Sequence, residues 1–420
     1  LGDVYKRQQQ VIYDERSPKY VDHLNKTFYF LEDGRRFIVR EETSTGYMHL
    51  YLYGIGQGVL HPITQGEWEV TDFVGLRGDK VYYISTESSP LKRDLYRVGL
   101  DGKHKERLTP GDGYYSIYPS ADLSYYICEG GDSSAPGRTD VFNAAGKRVR
   151  TLYDNAPLKE ALAEAGLPVR EFFTFTTERG DELNGYMLKP LDFDPAKRYP
   201  VLLTQYSGPG SQQVAEGWGP DWEDALVTHG YIVVCVDPRG TGYRGEEFKK
   251  LTYGNLGRLE VEDQISTARY MARQSYVDPA RIGIYGWSYG GFMALGCAFR
   301  GEGLFKMAIA VAPVTSWRYY DSIYTENFNG LPDDYPKGYD DNSPVNLAHL
   351  FRDDSTRLLI VHGTADDNVH FQNTMEMARA LNKLGKQYDM MVYPDQNHSM
   401  MPDDMIHVRE KMLRYTLENL

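Results

Sequence analysis

Apolar positions follow two different rhythms along the 420 residues of the chain. Up to residue 154 they alternate with polar ones in short runs, the period-2 pattern of strands. Arg36-Phe37-Ile38-Val39-Arg40, Lys80-Val81-Tyr82-Tyr83-Ile84 and Ser124-Tyr125-Tyr126-Ile127-Cys128 begin three copies of one unit, at 36, 80 and 124. Each copy runs through a polar turn into a second strand, at 47–53, 94–100 or 139–144. The second and third copies add a glycine-containing turn, at Gly102 and Gly146, and a final strand. Short strands at that period predict four-stranded β-propeller blades, with an irregular β-sandwich as the alternative. Propellers typically close with 4–8 blades. Three blades therefore predict a fragment, with further blades before residue 1. Residues 1–10, which start at Leu1 and end in a glutamine run, look unlike the start of a domain and contain no signal peptide.

From residue 155 the rhythm changes. A short helix at 158–165 and strands at 171–177 and 183–188 come first. Continuously apolar runs at 201–206, 231–236, 281–285, 307–311, 358–361 and 390–393 then alternate with helical stretches at 221–228, 259–275, 289–299, 373–384 and 407–418. Strands that are apolar throughout and separated by helices predict a mostly parallel, doubly wound sheet covered on both faces. The expected division is 1–154 for the blades and 155–420 for an α/β domain.

Composition narrows the function classes. The 41% hydrophobic and 25% charged content is that of a globular protein. No apolar run approaches the ~20 residues of a membrane span. A net charge of −13 argues against nucleic acid as a partner. Cys128, Cys235 and Cys297 form neither a disulfide framework nor a zinc ligand set, and they leave the compartment undecided.

The chemistry is carried by Gly286-Trp287-Ser288-Tyr289-Gly290-Gly291. With 41 glycines in the chain, a bare Gly-x-Ser-x-Gly arises by chance often enough to be read as a turn. Here it follows a strand and opens a helix, which is the context of a nucleophile elbow. Ser288 would stand exposed at the carboxyl end of a middle strand, where open α/β sheets keep their sites.

A serine hydroxyl needs a base, and the base needs an anion to orient it. On such a fold the chain order is Ser, acid, His. The strand at 358–361 runs into His362-Gly363-Thr364-Ala365-Asp366-Asp367-Asn368, which offers Asp366 or Asp367 as the acid. The strand at 390–393 runs into Pro394-Asp395-Gln396-Asn397-His398, which offers His398 as the base. His362 reads as structural, and the Asp-Asp-Asn loop reads alternatively as a helix N-cap cluster. A metal site built from Asp366, Asp367, His370 and His398 matches no ligand spacing.

Together, residues 286–291 and the run His362 to His370 resemble the prolyl oligopeptidase family, most closely its dipeptidyl peptidase IV branch. The likeness extends from about residue 170 to the end and more loosely through the blades. It implies an α/β-hydrolase domain joined to an eight-bladed propeller, and cleavage of peptides after a proline (or alanine) near the N-terminus, without a cofactor. By the resemblance Ser288, Asp366 and His398 form the triad. Tyr206, in Gln205-Tyr206-Ser207-Gly208-Pro209, and the Tyr289 backbone N–H form the oxyanion hole. Val314, Trp317, Tyr320, Tyr324 and Val369 line a proline pocket, and Asn368 bonds the substrate carbonyl before the proline. The residue pattern alone reads 314–324 as an amphipathic helix burying an aromatic stripe. The run Glu260-Val261-Glu262-Asp263-Gln264 also matches the family and reads as a solvated helix face with a structural role.

The branch grips the substrate amine with two glutamates on a propeller insert that is not found here. Glu41-Glu42 sits in a blade strand and does not fit. Release of dipeptides, of tripeptides or of another aminoacyl unit therefore stays open, as does a catalytically silent peptide-binding relative. A periplasmic or secreted location and a homodimer are expectations carried by the resemblance only.

Overall fold

The computed structural model describes residues 2–3, 8–22, 26–166 and 168–420. Of the opening segment 1–10, residues 1 and 4–7 lie outside the described residues. The chain gathers into two compact units. One comprises Leu1–Leu162 with Ala215–Gly219 and Tyr243–Phe248, and the other comprises the rest.

The first unit holds three four-stranded antiparallel sheets, the blades of a β-propeller. Their strands are Thr27–Phe30, Arg36–Glu41, His49–Gly54 and Gly58–Pro62; then Val70–Arg77, Lys80–Ser85, Asp94–Gly99 and Glu106–Arg107; then Tyr114–Pro119, Tyr125–Gly131, Arg138–Asn143 and Arg148–Tyr153. The strand Lys80–Ser85 shows why the repeat was legible. Val81 and Tyr83 enter one core cluster with Ile38 and Leu52, while Tyr82 and Ile84 enter another with Tyr126 and Phe142. Both faces are buried, so the run is apolar throughout. Each sheet also has a first strand that the sequence reading passed over. Val70–Arg77 is broken by register shifts at 70/72 and 73/75, and Tyr114–Pro119 is only partly buried, so neither alternates cleanly.

The second unit is built on an eight-stranded sheet. Its strands are β1 (Glu171–Thr176), β2 (Glu182–Leu188), β3 (Tyr199–Thr204), β4 (Ile232–Asp237), β5 (Val277–Trp287), β6 (Met307–Val311), β7 (Arg357–Gly363) and β8 (Asp389–Tyr393). The spatial order is β1-β2-β4-β3-β5-β6-β7-β8. β2 pairs antiparallel with both β1 and β4, and the other neighbours pair parallel. β3, β4 and β6 are buried along their whole length, as strands covered on both faces must be. Helices α1 (Leu259–Ala272), α2 (Tyr289–Arg300), α3 (Gln372–Lys383) and α4 (Pro402–Asn419) follow β4, β5, β7 and β8. No helix among the described residues is long and apolar enough to cross a membrane.

One core carboxyl carries a pH dependence. Glu223 accepts a hydrogen bond from Thr204 Oγ1 at 2.8 Å. Burial, reinforced by Asp221, raises its pKa from 4.5 to about 7, against the pull of that bond. The unfolded chain ionises first as pH rises, so folding stability falls between about pH 4.5 and 7. A shift of that size is worth on the order of 3 kcal/mol. Burial lifts the Glu260 carboxyl to about 7 as well, so urea unfolding of Glu223→Gln across that window should show the Glu223 share of the slope removed, with more stability retained at pH 7 than in the parent.

Candidate active site

The carboxyl ends of β3, β5, β6 and β8 each pass into a non-glycine residue with positive φ: Ser207 (68°), Ser288 (61°), Ala312 (43°) and Asp395 (58°). Backbone in that region costs of order 1–3 kcal/mol per residue, and it persists where the surroundings over-determine it. Four such residues at one edge of the sheet mark the functional edge.

Ser288 is the N-cap of α2, at φ 61° and ψ −117°. The turn is sharp because its neighbours touch backbone. A Cβ on Gly286 would lie 2.2 Å from Gly290 O, and one on Gly290 would lie 2.5 Å from Gln205 O. Ser288 N donates to Val311 O at 2.8 Å, which ties the elbow to β6. Tyr289 N–H belongs to the first turn of α2, where backbone donors have no intrahelical acceptor. Tyr206 stands beside it, with the two rings 6.0 Å apart. Burial raises the pKa of the Tyr206 hydroxyl, so it stays a protonated donor.

Asp366 and His398 are brought together directly. His398 Nδ1 lies 2.7 Å from Asp366 Oδ2. Asp366 Oδ1 accepts from the backbone N–H groups of Asn368 (3.0 Å) and Val369 (2.8 Å). Burial alone would raise the carboxyl's pKa. The hydrogen bonds from His362 and His398 outweigh it and hold the group well below the usual carboxylate range. An ionised Asp366 only accepts, so Nδ1 of His398 carries the proton and Nε2 is left with a free lone pair.

The loops that carry acid and base are cross-braced. Ala365 N donates to Gln396 O (3.0 Å) and Thr364 N to Tyr393 O (2.9 Å). Asp395 N donates to Thr364 Oγ1 at 2.8 Å. No hydrogen bond among the described residues joins Ser288 Oγ to His398. The elbow reaches the base loop through Trp287, whose Nε1 donates to His398 O at 3.1 Å. Such nucleophile–base contacts commonly tighten only when substrate binds.

His362 is the partner that sequence reasoning set aside as structural. It is fully buried, with Nε2 at 3.1 Å from Asp366 Oδ2 and 2.8 Å from Val369 O. Its Nδ1 lies 2.7 Å from Thr374 Oγ1, on the first turn of α3. The neighbouring Asn373 accepts Thr315 N through Oδ1 at 2.9 Å. One helix end therefore buttresses the acid and the loop before the aromatic run. Only the nearness of His362 to Asp366 in the sequence hinted at this. Among the described residues no group of three or more His, Cys, Asp or Glu side chains is placed to hold a metal.

The aromatic run is not one helix. A short turn at Trp317–Tyr319 is followed by a helix at Ser322–Asn329. Asp321 caps that helix by accepting Tyr324 N at 2.8 Å. The break lets the rings pack against one another. Trp317 packs edge-on against Tyr320 at 6.0 Å and stacks with Tyr324 at 6.2 Å, and Tyr320 meets Tyr324 edge-on at 5.3 Å. Tyr289 adjoins Trp317 at 5.4 Å. Val314, Trp317 and Val369 are buried. Tyr320 OH donates to Asn368 Oδ1 at 2.6 Å, so the Asn368 amide oxygen is engaged and its N–H groups point elsewhere.

The run 260–264 corrects the sequence reading. Glu260, Asp263 and Gln264 are buried, not solvated. Asp263 holds Arg239 through its backbone N–H (2.8 Å) and guanidinium (2.6 Å), so the charges are paired within the core.

This sheet order, with a strained serine elbow after β5 and an acid–histidine pair on the loops after β7 and β8, defines an α/β-hydrolase. Residues 218–420 match the prolyl oligopeptidase family, and residues 1–136 match the N-terminal region of dipeptidyl peptidase IV. The chain belongs to the prolyl oligopeptidase family. It is 41% identical to dipeptidyl-aminopeptidase B of Aspergillus niger over 366 residues, which are 84% of this chain and 40% of that protein. It is also 41% identical to the crystal structure of Porphyromonas gingivalis dipeptidyl peptidase 4, with a TM-score of 0.91 over 96% of this chain and 57% of that one. The chain thus spans about two-fifths of the length of the curated relatives it matches.

Proposed function

We propose that this chain carries the catalytic domain of a serine dipeptidyl peptidase that cleaves after a proline second from the peptide N-terminus. The observation that carries this reading is the Asp366–His398 pair set beside the Ser288 elbow and an aromatic box. Ser288 Oγ attacks the proline carbonyl carbon, and His398 Nε2 takes the hydroxyl proton. The tetrahedral oxygen is met by Tyr206 OH and Tyr289 N–H, donors that act most strongly as charge develops. The C–N bond then breaks, and His398 hands the proton to the leaving amine. Water hydrolyses the acyl-enzyme by the same proton transfers in reverse.

The box supports the choice of proline. The clustered rings of Trp317, Tyr320 and Tyr324 are rigid and apolar, which suits a flat ring with no N–H to satisfy, and the family resemblance adds Val314 and Val369 as its walls. The names of the relatives support the dipeptidyl step. Glu41 does not serve as the amine clamp. It is buried, with its carboxylate taken by Thr43 Oγ1 at 3.0 Å and by Ser44 Oγ.

A panel of chromogenic substrates tests the reading on the intact protein. Gly-Pro is expected to be turned over at least ~100-fold faster than N-blocked Gly-Pro or Ala-Ala-Pro. Gly-Pro should also exceed Gly-Gly by about 10–100-fold, the range an apolar pocket provides. Faster turnover of Ala-Ala-Pro would indicate a tripeptidyl enzyme, and equal turnover of Gly-Gly would remove the proline pocket.

A further inference from the structure

The two donors assigned to the oxyanion hole sit on different segments, Tyr206 after β3 and Tyr289 after β5. Their separation is set by how those segments are held, and one helix reaches both. Glu260 and Gln264 lie four residues apart on α1, on one face, and both are fully buried.

Glu260 Oε1 accepts the Tyr289 hydroxyl at 2.7 Å. The same carboxyl accepts Gly257 N at 3.0 and 3.1 Å, which fixes it at the start of α1. Gln264 works on the other segment. Its Nε2 donates to Val236 O at 2.9 Å and to Ser207 Oγ at 3.3 Å. Ser207 Oγ donates to Gln205 Oε1 at 2.9 Å. Gln205 Nε2 then donates to Gly290 O at 2.8 Å, inside the elbow. The residues on either side of Tyr206 are thus both links in a chain from α1 to the elbow. Ser207 is held at φ 68° within it.

We infer that Glu260 and Gln264 are positioning residues of the oxyanion hole, setting the spacing between the Tyr206 hydroxyl and the Tyr289 N–H. Neither touches the substrate. Glu260 fixes the Tyr289 side, and Gln264 fixes the Tyr206 side through Ser207 and Gln205. A hole displaced by about 1 Å loses on the order of 10²-fold in rate. Because the donors act mainly in the transition state, the loss falls on kcat and not on substrate affinity.

This inference rests on the site reading above, and the experiment separates the two. Parent and variants are first titrated with a fluorophosphonate, so that rates refer to labelled Ser288. A parent that does not label at Ser288 fails the site reading. Given labelling, Gln264→Met and Tyr289→Phe are expected to lose 10–100-fold in kcat with KM for Gly-Pro-p-nitroanilide within about threefold of the parent. Affinity for a Gly-boroPro inhibitor, whose adduct is tetrahedral, should fall in parallel, and inhibition by the Gly-Pro product should not. Glu260→Gln keeps an acceptor for the Tyr289 hydroxyl and should recover most of the rate lost in Glu260→Leu. Ser207→Ala removes one hydroxyl from the same chain, so the Gln264→Met, Ser207→Ala pair should be less than additive. If Gln264→Met does not fold, Ser207→Ala alone reads the chain. Unchanged kcat in the labelled variants would overturn the inference. So would equal loss of boronate and product affinity, or additive losses in the pair.

Discussion

Ser288→Ala is expected to lower kcat by roughly 10⁴–10⁶ while leaving the fold intact, by the scale of losses on removing a triad nucleophile. The loss is large because nothing else on the elbow can replace the hydroxyl. Trp287 is committed to His398 O through its indole, and the Tyr289 hydroxyl points away to Glu260. Alanine also suits the site poorly in one respect, since φ 61° is unfavourable for any residue with a Cβ. The serine tolerates the same cost, so stability should change little. Fluorophosphonate labelling should vanish, and turnover of Gly-Pro-p-nitroanilide should fall by that factor. Labelling that persists in Ser288→Ala would move the nucleophile elsewhere. A residual rate well above that of water would remain from binding and the oxyanion hole alone.

The sheet, its helices and the placement of Ser288, Asp366 and His398 on the loops at its carboxyl edge were legible in the sequence because each rests on a local rule. β3, β4 and β6 are buried on both faces and so read as unbroken apolar runs. Gly286 and Gly290 mark a backbone collision that no other residue survives. The support for the site was not legible, because it is made by contacts between distant segments. Gln264 reads as a polar helical residue until Ser207, 57 residues away in sequence, is placed beside it. Glu260 looks like a solvated charge until α1 is packed against the elbow. His362 lies only four residues from Asp366, yet a strand end gave no indication that its ring turns back to the same carboxylate. The aromatic run misled in a different way. Its residues suit a helix, but Asp321 caps a new helix at Tyr324 and divides the run into a turn and a helix. That division sets the three rings against one another.

Asp366→Asn is expected to lower kcat by about 10⁴, the cost of holding a triad histidine in the wrong tautomer. Here the direction of the amide is set by the loop itself. Oδ1 faces two backbone donors, Asn368 N and Val369 N, so the asparagine oxygen must take that position. The amide nitrogen then occupies the place of Oδ2 and presents N–H groups to His398 Nδ1 and His362 Nε2. His398 can satisfy that donor only by accepting at Nδ1, which moves its proton to Nε2. The other ring nitrogen, Nε2, is then no longer a base. His362 has an alternative, since its Nε2 can rely on Val369 O at 2.8 Å, so the loop should keep its shape. The variant should therefore bind the Gly-Pro product as the parent does, and fluorophosphonate labelling should slow in step with kcat. Loss of product binding along with kcat would instead mean that Asp366 acts mainly by holding Asn368 and Val369 in the pocket. The tautomer argument would then fall.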